Sequence, residues 1–147
     1  MKKWFAVKSF SMDTDVVLLL VRLVMGYAFI LHGWGKIQNP MGWMGPDSPV
    51  PGVFQLLAAV SEFGGGTALI IGLLTRLAAL GLTITMIVAA STHAFIMGDP
   101  FVSMTGERSY ELAGVYLVLA LLFLVMGPGQ YSLDRKLFGA KKHFDPK

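Results

Sequence analysis

The stretch VRLVMGYAFILHGWGK, residues Val21 to Lys36, decides the fold. It belongs to an apolar run, residues 16–34, of roughly the 20 residues a helix needs to cross a bilayer. Yet it carries Arg22 near one end and His32 near the other. Ionisable groups inside hydrocarbon cost several kcal/mol and mark interior-facing positions. A helix so composed predicts companion helices to receive them.

Those companions follow. Residues 53–74, 77–97 and 110–127 are comparably long and apolar. They are apolar all round, whereas soluble amphipathic helices carry a stripe. The totals agree: 54% of the 147 residues are hydrophobic and 14% charged, against about a quarter charged in soluble domains. Mean hydropathy is +0.63. The chain, residues 1–147, thus reads as a single all-α domain, an integral membrane four-helix bundle. The first run lacks a small-x-small cleavage site and three more spans follow it, so it is expected to be retained rather than removed as a signal peptide.

With no cysteine, disulfides, thiolate metal sites and a cysteine nucleophile are excluded within this chain; thiol chemistry would fall to a partner. No basic patch interleaved with aromatics points to nucleic acid.

The connections have their own chemistry. Residues 37–52 are rich in Pro and Gly, with Trp43 suited to a membrane–water interface. Between the second and third spans only LLTRLA intervenes, where Thr75 is expected to cap the next helix. Residues 98–109 form a second longer loop. After the fourth span, Gly127-Pro128-Gly129 ends the helix, and a short helix is expected between Ser132 as N-cap and Gly139 as stop. Lys2, Lys3, Lys8, Arg76, Arg135, Lys136, Lys141, Lys142 and Lys147 fall on one side, and only Lys36 and Arg108 on the other. The excess of positive charge predicts both termini, and the short C-terminal helix, in the cytoplasm of a bacterial inner membrane.

At ~1.5 Å per residue, Arg22 lies about 9 Å and Glu62 about 18 Å above the inner end of their helices. An upward-reaching Arg22 is therefore expected to meet Glu62. His32, Lys36, His93 and Glu111 form an outer tier. At ~100° per residue, Arg22, Gly26, Phe29, Gly33 and Lys36 share a face of the first helix, and Gln55, Ala58, Glu62, Gly65 and Gly66 one of the second. Small residues beside ionisable ones permit close helix approach in lipid.

Plainer readings compete. Arg22 is within snorkelling reach of headgroups, an Arg22–Glu62 pair would serve to fix helix register, and the histidines would bond only to water. His32, His93 and Glu111 are metal-ligand types, but without HxxH or ExxH spacing no metal is assigned. The similar height of the two histidines disfavours bis-histidine haem. GGGTA at 64–68 lies inside an apolar helix without a following lysine and reads as helix packing rather than a phosphate loop.

Arg22 and Gly26, HGWGK (His32, Gly33, Lys36), SEFGGG with Glu62, GLLTR (Gly72 to Arg76), Glu111, and GPGQYSLD with Ser132 and Asp134 together resemble the DoxX family of small four-helix membrane proteins. The resemblance runs from about residue 16 to 137. The family is related to the membrane subunit of a thiosulfate:quinone oxidoreductase, and other members resemble partners of sulfur-handling and superoxide-removing enzymes. It implies a subunit of a redox complex with quinone as cofactor and another redox protein as partner. In that reading Glu62 exchanges protons, Arg22 tunes its charge, and His32, Lys36, His93 and Glu111 bind the cofactor. A homo-oligomer is compatible with it. The alternative is a non-catalytic membrane anchor that recruits a soluble oxidoreductase. Transport is weaker, since four helices without an inverted repeat give little room for alternating access.

Overall fold

A computed structural model describes residue 4 and residues 6–139. Among them every regular element is helical. Helix α1 spans Met12–Gln38, α2 Gly52–Ile71, α3 Thr75–Met97 and α4 Glu111–Met126, and a short α5 spans Leu133–Phe138. The first three are long and apolar enough to cross a membrane. The fourth has 16 residues, or about 24 Å of helix against about 30 Å of hydrocarbon. Helix α1 begins a turn before the expected run because Ser11 caps it, accepting from Thr14 N–H, with Asp13 and Asp15 in the first turn.

Sequential helices pack antiparallel, α1 on α2, α2 on α3 and α3 on α4. Lys8, Arg76, Arg135 and Lys136 gather at one end of the bundle, here the basic end; the loops 39–51 and 98–110 lie at the other, the loop end. Lys2, Lys3, Lys141, Lys142 and Lys147, which also carried the orientation argument, lie outside the described residues. The distribution of apolar surface is that of a protein whose solvent is lipid. Leu18, Met25, Phe29, Leu69, Leu82, Met86 and Phe123 fill a slender core, while Val24, Leu31, Leu57, Ile84, Val118 and Val125 stand outward. Water would penalise so continuous an apolar exterior; hydrocarbon does not.

The tightest contact joins α1 to α2. A methyl group on Gly26 would lie 2.7 Å from the Gly66 carbonyl oxygen, and one on Gly66 2.7 Å from that of Gly26. A methyl on Gly33 would lie 2.5 Å from the Phe63 nitrogen. Backbones approach this closely only where at least one partner lacks a side chain.

This crossing corrects the expected Arg22–Glu62 pair. Arg22 lies four residues toward the basic end from Gly26, and Glu62 four residues toward the loop end from Gly66, about 6 Å on either side of the crossing. Side chains also lean toward the N-terminus of their own helix. On these antiparallel helices that turns Arg22 toward the basic end and Glu62 toward the loop end. Both are buried, at 1% and 3% exposure, but they face different partners.

Arg22 closes the basic end. Its Nη1 donates to the Pro128 carbonyl at 2.8 Å and its Nη2 to the Tyr131 carbonyl at 2.6 Å. The GPGQYS segment thereby folds under the bundle, with Asp15 accepting from Gln130 N–H at 3.0 Å. Asp134 completes the clasp. Its carboxylate accepts from Leu74 N–H at 2.7 Å and Thr75 N–H at 2.9 Å, capping α3 from a distance. The expected cap, Thr75, makes no capping bond and is instead the first helical residue. Gly72, at φ +69°, turns the chain where any side chain would strike Ser132 and Arg22. Leu74 takes φ +49° without being glycine, a conformation costing on the order of 1–3 kcal/mol that persists only when its surroundings fix it; the Asp134 bonds do so. The short helix α5 starts at Ser132, which accepts from Arg135 N–H, and stops at Gly139, as expected.

Substituting Asp134→Ala strips the α3 terminus of its acceptor, a loss of about 2 kcal/mol for a cap. For a chain this size that is a fall of about 4–8 °C in unfolding temperature in detergent. Arg22→Met should fall at least as far, and exposed Glu111→Gln should not move; equal midpoints for all three would refute the clasp.

Candidate cleft at the loop end

Two helices depart from regular geometry where ionisable groups face inward. Val60–Gly64 in α2 and Thr92–Met97 at the end of α3 are π-helical; such insertions rotate the following side chains and recur at functional sites. The first holds Glu62, the second His93. Between them opens a cleft of about 260 Å³ at the loop end.

Its polar wall is the pair Lys36–Glu62. Lys36 Nζ donates to both carboxylate oxygens of Glu62, at 2.6 and 2.7 Å. The Glu62 side chain is 4% exposed and that of Lys36 26%. The geometry that turns Arg22 away from Glu62 brings Lys36 to it: Lys36 lies one helix-face repeat beyond Gly33 and leans back toward mid-bundle. Trp43, from the loop after α1, covers the ammonium with its ring at 4.6 Å, a cation–π contact. Gln55 fixes that loop, donating to the Val50 carbonyl at 2.8 Å, accepting from Met44 N–H at 3.1 Å, and receiving Trp43 Nε1–H on its backbone carbonyl at 3.0 Å.

The apolar wall is aromatic. Phe29 and Tyr116 meet at a tilt with ring centres 4.9 Å apart, and the His32 and Tyr116 rings meet edge to face at 6.2 Å. Met86, Ala89, Leu112 and Ala113 complete it.

Of the residues expected at the site, His32, Lys36, Glu62 and His93 line the cleft together. Arg22 does not; it serves the clasp. Glu111 is exposed on the first turn of α4 and is not among the lining residues. Among the described residues no three His, Asp or Glu side chains are grouped to hold a metal. Sequence reasoning missed Tyr116 and Asp99. Tyr116 was legible as a hydroxyl-bearing aromatic one turn inside α4. Asp99, which bonds His93 Nδ1 at 2.6 Å, was hidden in a loop whose course local pattern does not define.

A family model described as DoxX matches residues 17–97, just over half of the chain. Inner membrane protein YqjF of Escherichia coli (strain K12) is 37% identical over 130 residues, covering 84% of this chain and 93% of that protein. Uncharacterized membrane protein Rv3486 of Mycobacterium tuberculosis is 32% identical over 134 residues, covering 81% and 80%. Inner membrane protein YphA of E. coli is 28% identical over 145 residues, covering 86% and 94%. No solved structure matches the chain.

Removing one partner of the Lys36–Glu62 pair strands a buried charge. Lys36→Met is expected to destabilise the bundle by about 3 kcal/mol. The double substitution with Glu62→Leu should recover most of that loss. A denaturation cycle in detergent measures both, and a double variant as unstable as the sum of the singles would mean the pair is not coupled.

Proposed function

The chain belongs to the DoxX family, and on that premise we propose that it is a quinone-interacting membrane subunit of a redox complex in the bacterial inner membrane. The observation that carries the reading is the Lys36–Glu62 pair forming one wall of an aromatic cleft inside an apolar bundle. A quinone headgroup has two flat apolar faces and two carbonyl acceptors. Phe29, Tyr116 and Met86 suit the faces; Lys36 and His32 carry donors. At about 260 Å³ the cleft holds one ring-sized group, below the usual ~300–1,000 Å³ of pockets that enclose drug-sized ligands, so an isoprenoid tail would remain in lipid.

A bound quinone supplies an acceptor of two electrons and two protons. The residues of this chain bind and serve it with protons. Glu62 holds Lys36 against the cleft wall through two of its three N–H donors. The third is left to a ligand oxygen or to the Trp43 face. Trp43 and its Gln55-anchored loop shield the pair from water at the loop end, which strengthens each polar contact within. Electrons come from a reductant on a partner subunit, consistent with a chain that has no cysteine. Arg22 takes no part in this chemistry.

The positive-inside pattern puts the basic end in the cytoplasm, with both termini, and the cleft near the outer face. Helix α4 is then the fourth span, made short by the Gly127 stop beneath it.

Purified protein in nanodiscs is expected to bind a short-chain ubiquinone or menaquinone analogue, and Glu62→Gln and His32→Ala to weaken binding about tenfold, or ~1.4 kcal/mol. Undiminished binding in both would sink the cleft as the site. A failure of wild type to bind would favour a non-catalytic anchor. Orientation has a separate check in this cysteine-free chain. Asp47→Cys should react with an impermeant maleimide on intact cells and Lys136→Cys only after lysis; the reverse would invert the topology.

A further inference from the structure

A second ionisable pair borders the cleft that the preceding reading does not use. His93 lines the cleft, and its Nδ1 lies 2.6 Å from Asp99 Oδ2. The Asp99 carboxylate borders a separate hollow of about 500 Å³ at the loop end, shared with Gly98, Pro100, Glu107 and Arg108. The imidazole thus lines one space, and the carboxylate bonded to its Nδ1 lines the other. Among the described residues the hydrogen bond of the ring is made through Nδ1.

The backbone holds this placement twice over. Asp99 N–H donates to the His93 carbonyl at 2.9 Å, so the same two residues are joined through main chain and side chain. Gly98 makes the turn possible at φ +69°, a left-handed conformation that costs glycine little. A carboxylate on one imidazole nitrogen fixes which nitrogen carries the proton, leaving the other as acceptor. With Asp99 on Nδ1, the acceptor is Nε2, the other nitrogen of a cleft-lining ring.

The charges nearby are compatible with transfer. Across the cleft stand His32, Tyr116 and the internally paired Lys36 and Glu62. Around Asp99, Arg108 Nε lies 3.9 Å from Oδ1 on a side chain that is 73% exposed, and Glu107 borders the hollow. Arg108 is thus a loose, hydrated neighbour that leaves Oδ2 to His93.

We propose that His93 and Asp99 form a proton-transfer dyad joining the cleft to water at the loop end. The proposal rests on the quinone reading for its ligand. His93 Nε2 accepts a proton from a ligand hydroxyl, the O–H bond breaking as N–H forms. The imidazolium then releases its Nδ1 proton along Asp99 to water in the hollow. This leaves the ring with its proton on Nε2 and Nδ1 bare; in the reducing direction that form takes a proton at Nδ1 from water through Asp99 and gives its Nε2 proton to the ligand oxygen, which restores the Nδ1–H form. Asp99 acts through His93 and is a positioning residue.

Nitrogen-15 NMR of histidine-labelled protein in nanodiscs tests it, with His93 assigned by His93→Gln. Wild type should show His93 protonated at Nδ1 and bare at Nε2. Asp99→Ala should abolish this single form in favour of the Nε2–H tautomer, and Asp99→Glu should restore it. A quinol analogue should shift the wild-type Nε2 resonance, while Asp99→Ala binds the analogue within about twofold of wild type. An Nε2–H tautomer in wild type, or no response to Asp99→Ala, overturns the dyad. So does an analogue that binds and shifts His32 but leaves His93 unmoved. Should the analogue not bind wild type at all, the quinone reading falls, and the tautomer data alone decide whether the dyad exists.

Discussion

The contact of Gly26 with Gly66 sets the register from which the rest of the molecule follows. Where two antiparallel helices touch backbone to backbone, nothing polar fits between them, so ionisable groups on the shared face are sorted to either side of the crossing. The lean of every helical side chain toward its own N-terminus then decides the partners. Arg22 is turned to the basic end and Glu62 to the loop end, where Lys36 leans back to meet it. One steric constraint thus produces two polar centres, one structural and one beside a cleft.

The two centres solve the cost of buried charge differently. Arg22 has a planar fork of donors and takes backbone carbonyls, Pro128 and Tyr131, that the end of α4 and the turn after it leave unpaired. Asp134 does the converse, accepting the orphan N–H groups at the start of α3. Asp134 also donates its N–H to the Gly72 carbonyl at 2.8 Å, in the turn that lies against the Arg22 guanidinium. At the loop end the pair is direct, and it stands in a π-helical turn rather than a regular one. Regular helix at the clasp and irregular helix at the cleft is the pattern expected when one end holds the bundle together and the other holds a site.

The all-helical class and the order of the three long apolar helices were legible in the sequence, because runs of about 20 apolar residues have little choice in a bilayer. So were the inward face of α1 and the caps of α5, which depend on local spacing and on Ser132 and Gly139. The pairing of Glu62 was not. Counting residues from the ends of spans placed it near Arg22, because the true crossing point of α1 and α2 fixes the level and the span ends do not. Thr75 illustrates the same limit: a local cap was expected where a residue 59 positions away supplies the bond. Asp99 was invisible for a related reason, since only the turn at Gly98 folds it back on His93. Residue type and helical period specify faces; partner identity across a bundle needs register.

The charge balance of the cleft narrows what it can hold. Lys36 is the cation on its wall, and both of Glu62's oxygens already neutralise it. His93 on the far side is held by Asp99. A small sulfur oxyanion would meet no uncommitted lysine or arginine and would add a negative charge to a space already lined by the Glu62 carboxylate. Desolvating that charge without compensation is costly. A neutral ring with weak acceptors faces no such penalty. It would gain burial against Phe29, Tyr116 and Met86 and leave the Lys36–Glu62 pair and the His93–Asp99 hydrogen bond intact. Under the proposed quinone reading, this charge balance suits an uncharged, flat, lipid-soluble ligand better than an anion.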